Sequence, residues 1–238
     1  MRASLLAATA AVALMSLPAF AAEREFTATL AGQAILPAAT FIAPPADAPE
    51  SLRVSAKYTT PDRRRAEAPA TVPGMDGVRP TGLSMPFDGQ PVQGFSGIKM
   101  AADGTFWSLS DNGFGNKLNS GDAALMLHHL KIDWKAGTID RMETIFLSDP
   151  DRKVWFPIVN EGTTERYLTG ADFDVESIQP VADGFWIGEE FGPFLVKVDA
   201  AGKVVGVHDT LVDGKPVKSP DHPTLTLHGR LPEAARPR

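Results

Sequence analysis

The chain has 238 residues, no cysteine and a formal net charge of −6 at pH 7. The absence of cysteine excludes disulfides, thiolate metal sites and lipid attachment through a thiol. The net negative charge argues against nucleic acid or an anionic membrane as a partner, and it suits a bound cation.

The first 21 residues have the pattern of a signal peptide. Arg2 precedes an apolar stretch over 3–17 that is too short to span a bilayer, and Ala19-Phe20-Ala21 fits the small-x-small rule for cleavage after Ala21. Cleavage removes one basic residue and no acid, so the net charge of the mature chain becomes −7. We therefore predict a periplasmic or secreted protein without membrane contact after cleavage.

Two N-terminal segments, 26–36 and 51–60, are predicted to be strands. In the second, apolar residues occupy every other position, which is the period of a half-buried strand: Leu52, Val54, Ala56 and Tyr58. The segments 44–50 and 61–80 are rich in proline and charge and are predicted to be irregular loops, with the arginines 63–65 solvated.

An internal repeat follows. Asp103-Gly104 and Asp183-Gly184 are 80 residues apart, each lies in a hairpin signal before a Phe-Trp pair, and an acid follows each Trp at the fourth position. Each copy predicts about four short antiparallel strands, which is one blade of a β-propeller. The expected fold is all-β and propeller-like, with residues 149–171 as an insertion between blades.

The expected domain covers residues 22–225, and 226–238 form an irregular tail rich in proline and arginine. Two blades and the N-terminal strands make about three, whereas closed propellers have roughly 4–8 blades. We therefore expect an incomplete ring from a shortened form of a longer protein.

Acidic residues alternate in the stretch "GADFDVESI", residues 170–178. On a strand, alternate side chains share a face, so Asp172, Asp174 and Glu176 could hold one hard cation through their oxygens. Glu190 and Asp111 occupy matching positions in the two repeat copies and are expected to converge on the same mouth of a propeller. These five acids are the predicted metal ligands, with Ca²⁺ as the expected ion; a solvated acidic face is the alternative.

Other residues that resemble catalytic or ligand-binding motifs match those motifs incompletely. "GFSGI" lacks the glycine that a nucleophile elbow requires two residues after the serine, so Ser96 is interpreted as a strand-entry residue. "SDNGFGN" does not have EF-hand spacing, and Asn112-Gly113 favours a tight turn. His128 is predicted to have a packing role. Charge alone suggests Lys99, Lys117 or Arg166 as a phosphate contact.

Four segments resemble the "esterase-like activity of phytase" family, also called the phytase-like domain, over about residues 34–225. They are "GFSGIKMAADGTFWSLSDNGFG", "YLTGADFDVESI", "FWIGEEFGPFLVKVDAAGKV" and "SPDHPTL". The resemblance implies an exported bacterial β-propeller that hydrolyses phosphoric or carboxylic esters, with calcium held by carboxylates as in propeller phytases. The later glycine-rich and acidic segments of that family do not occur in this sequence.

Three functions remain open at this stage. The first is a Ca²⁺-dependent ester hydrolase acting on a small molecule. The second is a non-catalytic exported propeller that binds a ligand or protein and uses cations for stability. The third is a lactonase-type propeller with one central metal, for which no Asn or His ligand is identified.

Overall fold

The structure, a computed structural model, describes residues 26–58, 66 and 68–225. The chain divides into two units after Ala31, and residues 26–31, the described part of the first unit, have no regular secondary structure. The predicted signal peptide, the arginines 63–65 and the tail after 225 lie outside the described residues. Among the described residues, no helix is long and apolar enough to cross a membrane.

The described chain is built from short strands with one 3-10 turn, Glu50–Leu52. The strands are β1 (Phe41–Ile42), β2 (Val54–Ser55), β3 (Val72–Asp76), β4 (Arg79–Met85), β5 (Phe87–Asp88), β6 (Gln90–Pro91), β7 (Phe95–Met100), β8 (Phe106–Ser110), β9 (Met126–Asp133), β10 (Thr138–Phe146), β11 (Val175–Val181), β12 (Gly184–Glu189), β13 (Phe194–Val198), β14 (Val204–Asp209), β15 (Leu211–Val212) and β16 (Lys215–Pro216). The all-β prediction is therefore confirmed.

Two four-stranded antiparallel sheets form the body of the fold, as the repeat predicts. The first has the order β10-β9-β8-β7 and the second β11-β12-β13-β14, so each is a meander of four consecutive strands. The predicted turns join β7 to β8 and β11 to β12, and Gly104 and Gly184 adopt positive φ there. Each sheet has the arrangement of a propeller blade, which confirms the predicted class; within the described residues the sheets do not close into a barrel.

The core lies between these two sheets. Leu109 and Leu127 from the first sheet are fully buried together with Ile187 and Val198 from the second. Burying apolar surface on this scale is the main favourable contribution to folding. Val154, Phe156 and Ile158 join the same cluster, so the segment predicted as an insertion is part of the core.

The first strands of the two sheets approach closely. A Cβ on Gly97 of β7 would lie 3.1 Å from both the Ile178 nitrogen and the Ser177 Cα of β11. A larger residue at this position would require the β11 backbone to move by a few tenths of an ångström. The contact places the beginning of β11 beside the beginning of β7.

A buried histidine stabilises the first sheet. His128 Nε2 lies 2.7 Å from Ser110 Oγ, and its Nδ1 lies 2.9 Å from Thr144 Oγ1. Burial lowers the pKa of His128 to about 4, which keeps the ring neutral at physiological pH. The packing role predicted for this residue agrees with these contacts.

The N-terminal predictions are largely wrong. Segment 26–36 contains one isolated bridge, at Ile35, and the described part of the second segment, residues 51–58, contains the two-residue β2 and a bridge at Tyr58. Pro49 precedes a 3-10 turn that occupies the start of the second segment. Ala56, at φ 59°, then interrupts the alternation of side chains just after β2. Lys57 is consequently buried, with its ammonium 3.2 Å from Asp122.

One predicted loop is partly a hairpin. Strand β3 and the first two residues of β4 lie in the segment predicted to be irregular, 61–80, and Gly77 at φ 58° lies in the connection between the two paired strands. Thr81 Oγ1 donates a hydrogen bond to the Gly74 carbonyl across the pair. Proline and charge content therefore concealed a two-stranded element here.

Candidate metal centre

Three of the predicted ligands come together. Asp111, Asp174 and Glu176 each offer one carboxylate oxygen, and these oxygens all lie within 4.8 Å of one another. Asp111 directly follows β8, Asp174 directly precedes β11, and Glu176 lies in β11. No Lys or Arg nitrogen of the described residues lies within 4.0 Å of these carboxylates.

Local backbone geometry sets the position of each acid. The Asp111 amide donates to the Gly94 carbonyl, which holds the end of β8 against the start of β7. In β11 the register with β12 shifts between Val175 and Ser177, so Glu176 is the extra residue of a β-bulge. Bulges redirect a side chain relative to a regular strand. The bulge thus aims Glu176 independently of the alternation that the sequence suggests.

Asp174 has the most unusual environment of the three. Its side chain is only 7% exposed, and its Oδ1 has no hydrogen-bond partner among the described residues. Burial is the largest cause that raises the pKa of Asp174 to about 7, and the charges of Glu190, Glu176 and Asp111 and a side-chain hydrogen bond with Glu190 contribute to the same rise. A buried carboxylate oxygen without a partner is costly. The arrangement therefore favours a positive charge at this point.

Glu176 experiences the same field more weakly. Burial raises the pKa of its carboxyl, as do the charges of Asp111 and Glu190, whereas a hydrogen bond from Ser96 lowers it. Glu176 is exposed, so solvent screens part of this repulsion. Ser96, interpreted from sequence as a strand-entry residue, is therefore a direct neighbour of the cluster.

Glu190 lies beside the cluster without belonging to the close group of three oxygens. Its amide donates to the Asp174 carbonyl at 2.9 Å, as the Asp111 amide donates to Gly94 at 3.0 Å. The two acids therefore occupy equivalent positions in the two sheets, in agreement with the repeat. The charge of Glu190 is also the first electrostatic cause, after burial, of the raised pKa of Asp174.

Asp172 does not join the cluster, which corrects the prediction that it shares a strand face with Asp174 and Glu176. It lies in a turn before β11 begins. Its Oδ1 accepts from the Val159 amide at 2.8 Å, and its Oδ2 accepts from the amide and the hydroxyl of Thr169 at 2.8 and 2.9 Å. Both oxygens are thus occupied in holding the insertion to the turn.

Glu189 shows the same structural use of an acid. It is buried, and its carboxylate accepts three backbone hydrogen bonds, from Phe191 at 2.8 Å and from Gly192 and Phe194 at 2.7 Å. These bonds hold the turn between β12 and β13. Of the adjacent pair of glutamates, one builds the turn and the other faces solvent beside the cluster.

Arg166 is not placed to contact a substrate, which corrects that prediction. Its guanidinium is buried and lies 2.9 Å from Asp149 and 2.6 Å from Glu161. It also donates to the Asp149 carbonyl at 2.9 Å. Arg166 therefore ties the two ends of the insertion together.

Lys117 lies beside the acids, in the loop between β8 and β9. Its ammonium donates to the Asp221 carbonyl at 2.5 Å and lies 4.2 Å from the centre of the Phe191 ring. Burial lowers the pKa of Lys117, while the negative charges of Asp221, Glu189, Asp172 and Asp174 oppose this effect. Lys117 thus lies against Asp221 and Phe191 and shares a cavity wall with Asp172.

A cavity next to Lys117 was missed by sequence reasoning. It has a volume of about 310 Å³, and Phe156 and Pro157 of the insertion form part of its wall. The apolar run "VWFPIV", residues 154–159, was the available signal. A segment of that composition in an apparent insertion indicates that it packs against the domain.

The fold and the site together define an all-β, blade-built protein with a carboxylate cluster where its two sheets meet. A family model described as "Phytase-like: Esterase-like activity of phytase" matches residues 90–236, and the chain belongs to this family. The match covers both four-stranded sheets and all the acids of the cluster. Searches of curated proteins and of solved structures gave no match to the chain.

Proposed function

We propose that the protein is an exported, Ca²⁺-dependent hydrolase of phosphoric or carboxylic esters that acts at the Asp111–Asp174–Glu176 cluster. Membership of the family suggests an esterase- or phosphatase-like hydrolase. The observation that carries the finer proposal is the buried, unpartnered Oδ1 of Asp174 within a group of converging carboxylates.

The donor set fits calcium. All three groups offer oxygen, which is the ligand type of Ca²⁺ and Mg²⁺, and Ca²⁺ accepts irregular geometry with 6–8 oxygens. No sulfur or imidazole belongs to the group, so zinc and copper are poorly matched. A cation held there supplies positive charge next to the ester oxygens, where hydrolysis develops negative charge.

The chain's own residues have distinct tasks in this proposal. The buried Asp174 and the more exposed Glu176 and Asp111 would hold the cation together through one oxygen each. Ser96 orients Glu176 by its hydrogen bond. Glu190 adds negative charge at the rim, which strengthens cation binding and leaves an exposed carboxylate able to accept a proton from water.

The direct test is hydrolysis of p-nitrophenyl phosphate, p-nitrophenyl acetate and phytate by the purified protein, in millimolar Ca²⁺ and in chelator. We expect activity on at least one ester that chelator abolishes and Ca²⁺ restores. Glu176→Gln should lose most of it, whereas Glu143→Gln removes the same charge from an exposed position of β10 and should not. Activity unaffected by chelator would overturn the proposal.

A structural role for the cation is the second candidate, because the cluster joins the two sheets. Asp111 directly follows β8 of the first sheet, whereas Asp174 directly precedes β11 of the second sheet and Glu176 lies in it. A cation between them would cross-link the sheets and stabilise the fold. Calcium-dependent melting without hydrolysis of any of the three esters would favour this function over catalysis.

A further inference from the structure

The cavity beside Lys117 has one charged donor and mostly apolar walls. Its volume is about 310 Å³. Three chain segments that are distant in sequence contribute to it: the loop after β8, the insertion and the region that follows β16. Its lining residues are Lys117, Leu118, Phe156, Pro157, Ala171, Asp172 and Pro223.

Lys117 has unused hydrogen-bonding capacity. An ammonium carries three donors, and among the described residues this one has a single acceptor, the Asp221 carbonyl. No described carboxylate lies within 4.0 Å of it, although Lys117 is half-buried. Two N–H groups therefore remain for a ligand that enters the cavity.

The other polar group of the wall, Asp172, does not compete for these donors. Both of its oxygens are occupied by Val159 and Thr169. The ammonium itself is held in place by the Asp221 carbonyl and by the Phe191 ring. The cavity thus presents a fixed cation beside apolar side chains and one carboxylate whose oxygens are already hydrogen-bonded.

We propose that this cavity is a substrate subsite that binds the organic part of the ester, an apolar body bearing an oxyanion that Lys117 holds. The inference rests on the proposed function, because Asp172, which lines the cavity, lies two residues before Asp174 of the cluster. The oxyanion is a carboxylate or a phosphate, and both offer the charged oxygens that an ammonium binds. Phe156, Leu118 and the prolines contact the apolar body.

Residue-specific labelling tests this without relying on catalysis. The protein is treated briefly with acetic anhydride in chelator, and acetylation of each lysine is measured by peptide mass spectrometry. Phenyl phosphate and benzoate are the two anionic probes, and benzyl alcohol is the neutral one. Lys135, exposed in the turn between β9 and β10, is the internal control.

We expect at least one anionic probe to protect Lys117 and not Lys135, with benzyl alcohol giving much weaker protection. Comparing phenyl phosphate with benzoate then identifies the oxyanion. Lys117→Met should weaken binding of the effective probe by about tenfold or more in calorimetry, as expected for a lost charge-assisted hydrogen bond, and Lys135→Met should not. Lys117→Arg should retain part of the binding.

The proposal is wrong if Lys117 is not labelled in the free protein, if no anion protects it, or if benzyl alcohol protects it equally. Because the labelling is done in chelator, failure of the cation site leaves this result unchanged. Protection in chelator together with calcium-independent hydrolysis would overturn the proposed function alone. Calcium-dependent hydrolysis without protection would overturn the subsite alone.

Discussion

Asp172 and Asp174 are two residues apart and both nearly buried, yet their surroundings are opposite. Asp172 accepts hydrogen bonds at both oxygens, whereas Asp174 keeps a buried oxygen without a partner. Burial raises the pKa of both, to about 6 for Asp172 and about 7 for Asp174. Their difference shows that hydrogen-bond partners, rather than burial or spacing, separate a structural acid from a candidate ligand.

Glu189 and Glu190 repeat the contrast between neighbours. Glu189 satisfies three backbone amides, while Glu190 faces solvent beside the cluster. Acids of the first kind should matter for folding in any ionic condition. Acids of the second kind should matter mainly through a cation.

The largest effect is expected for Glu189→Ala. This change leaves three amides of the β12–β13 turn without an acceptor, at ~1–3 kcal/mol each, so we expect a loss of roughly 3 kcal/mol or more in the free energy of unfolding. Denaturant titration in chelator measures it. The matched Glu190→Ala change should shift stability by about 0.5 kcal/mol or less. Equal losses of unfolding free energy in the two variants would show that Glu189 and Glu190 do not differ in their structural role.

Calcium should produce the next largest effect. A cation that binds only the folded state at a hundredfold excess over its dissociation constant stabilises it by ~2.7 kcal/mol. For a chain of this size that corresponds to roughly 5–10 °C in Tm, measured by scanning calorimetry with Ca²⁺ and with chelator. Glu176→Gln and Asp174→Asn should each blunt the response, and Asp140→Asn on β10 should not. If the two cluster variants are instead more stable than the parent in Ca²⁺, the acids only repel one another.

Replacing Asp172 and Asp174 separately by asparagine tests the difference between these two acids, with a smaller expected effect on stability. Asp172→Asn replaces one acceptor oxygen by an NH₂ group that faces an N–H donor. We therefore expect the free energy of unfolding in chelator to fall by about 1–2 kcal/mol. Asp174→Asn removes a repelled charge and should stabilise the protein in chelator. The calcium response should persist in the Asp172 variant, and its disappearance there would place Asp172 in the site.

The smallest expected effect is a pH dependence in chelator. The ordinary pKa of Asp174 is 3.8 and its folded value is about 7, so between these values the folded state holds a proton that the unfolded state has released. Stability should therefore fall as pH rises from about 4 to about 7. Glu176, Glu190 and Asp111 reach solvent and can move apart, which keeps the change to a few degrees in Tm.

Asp174→Asn should reduce this slope and leave the smaller part that comes from Asp172, whose pKa burial raises to about 6. Saturating Ca²⁺ should reverse the contribution of Asp174 because the ion binds the deprotonated carboxylate. Thermal unfolding of both forms across that pH range is the measurement. An unchanged slope in the variant would show that another group carries the pH dependence.

Sequence reasoning succeeded where the signal was local and repeated. The Asp-Gly turns fixed both hairpins, and their 80-residue spacing predicted two equivalent sheets. The equivalence of Asp111 and Glu190 followed from the same register. Sequence reasoning failed for segment 51–60, where Pro49 and the positive φ of Ala56 interrupt the strand that the alternating pattern predicts. It also failed for the hairpin β3–β4, because the composition of that segment resembles a loop.

By itself, the sequence determined the all-β class, the two sheets and the acids near their ends, because strand period and turn chemistry act over a few residues. Only the tertiary structure decided which acids remain unpaired. The N–H groups that occupy Asp172 come from Val159 and Thr169, those that occupy Glu189 lie across a turn, and the bulge at Glu176 depends on its pairing with β12. A carboxylate is free for a cation only after the folded chain has assigned its hydrogen bonds, and that assignment depends on contacts between elements that spacing along the chain does not encode.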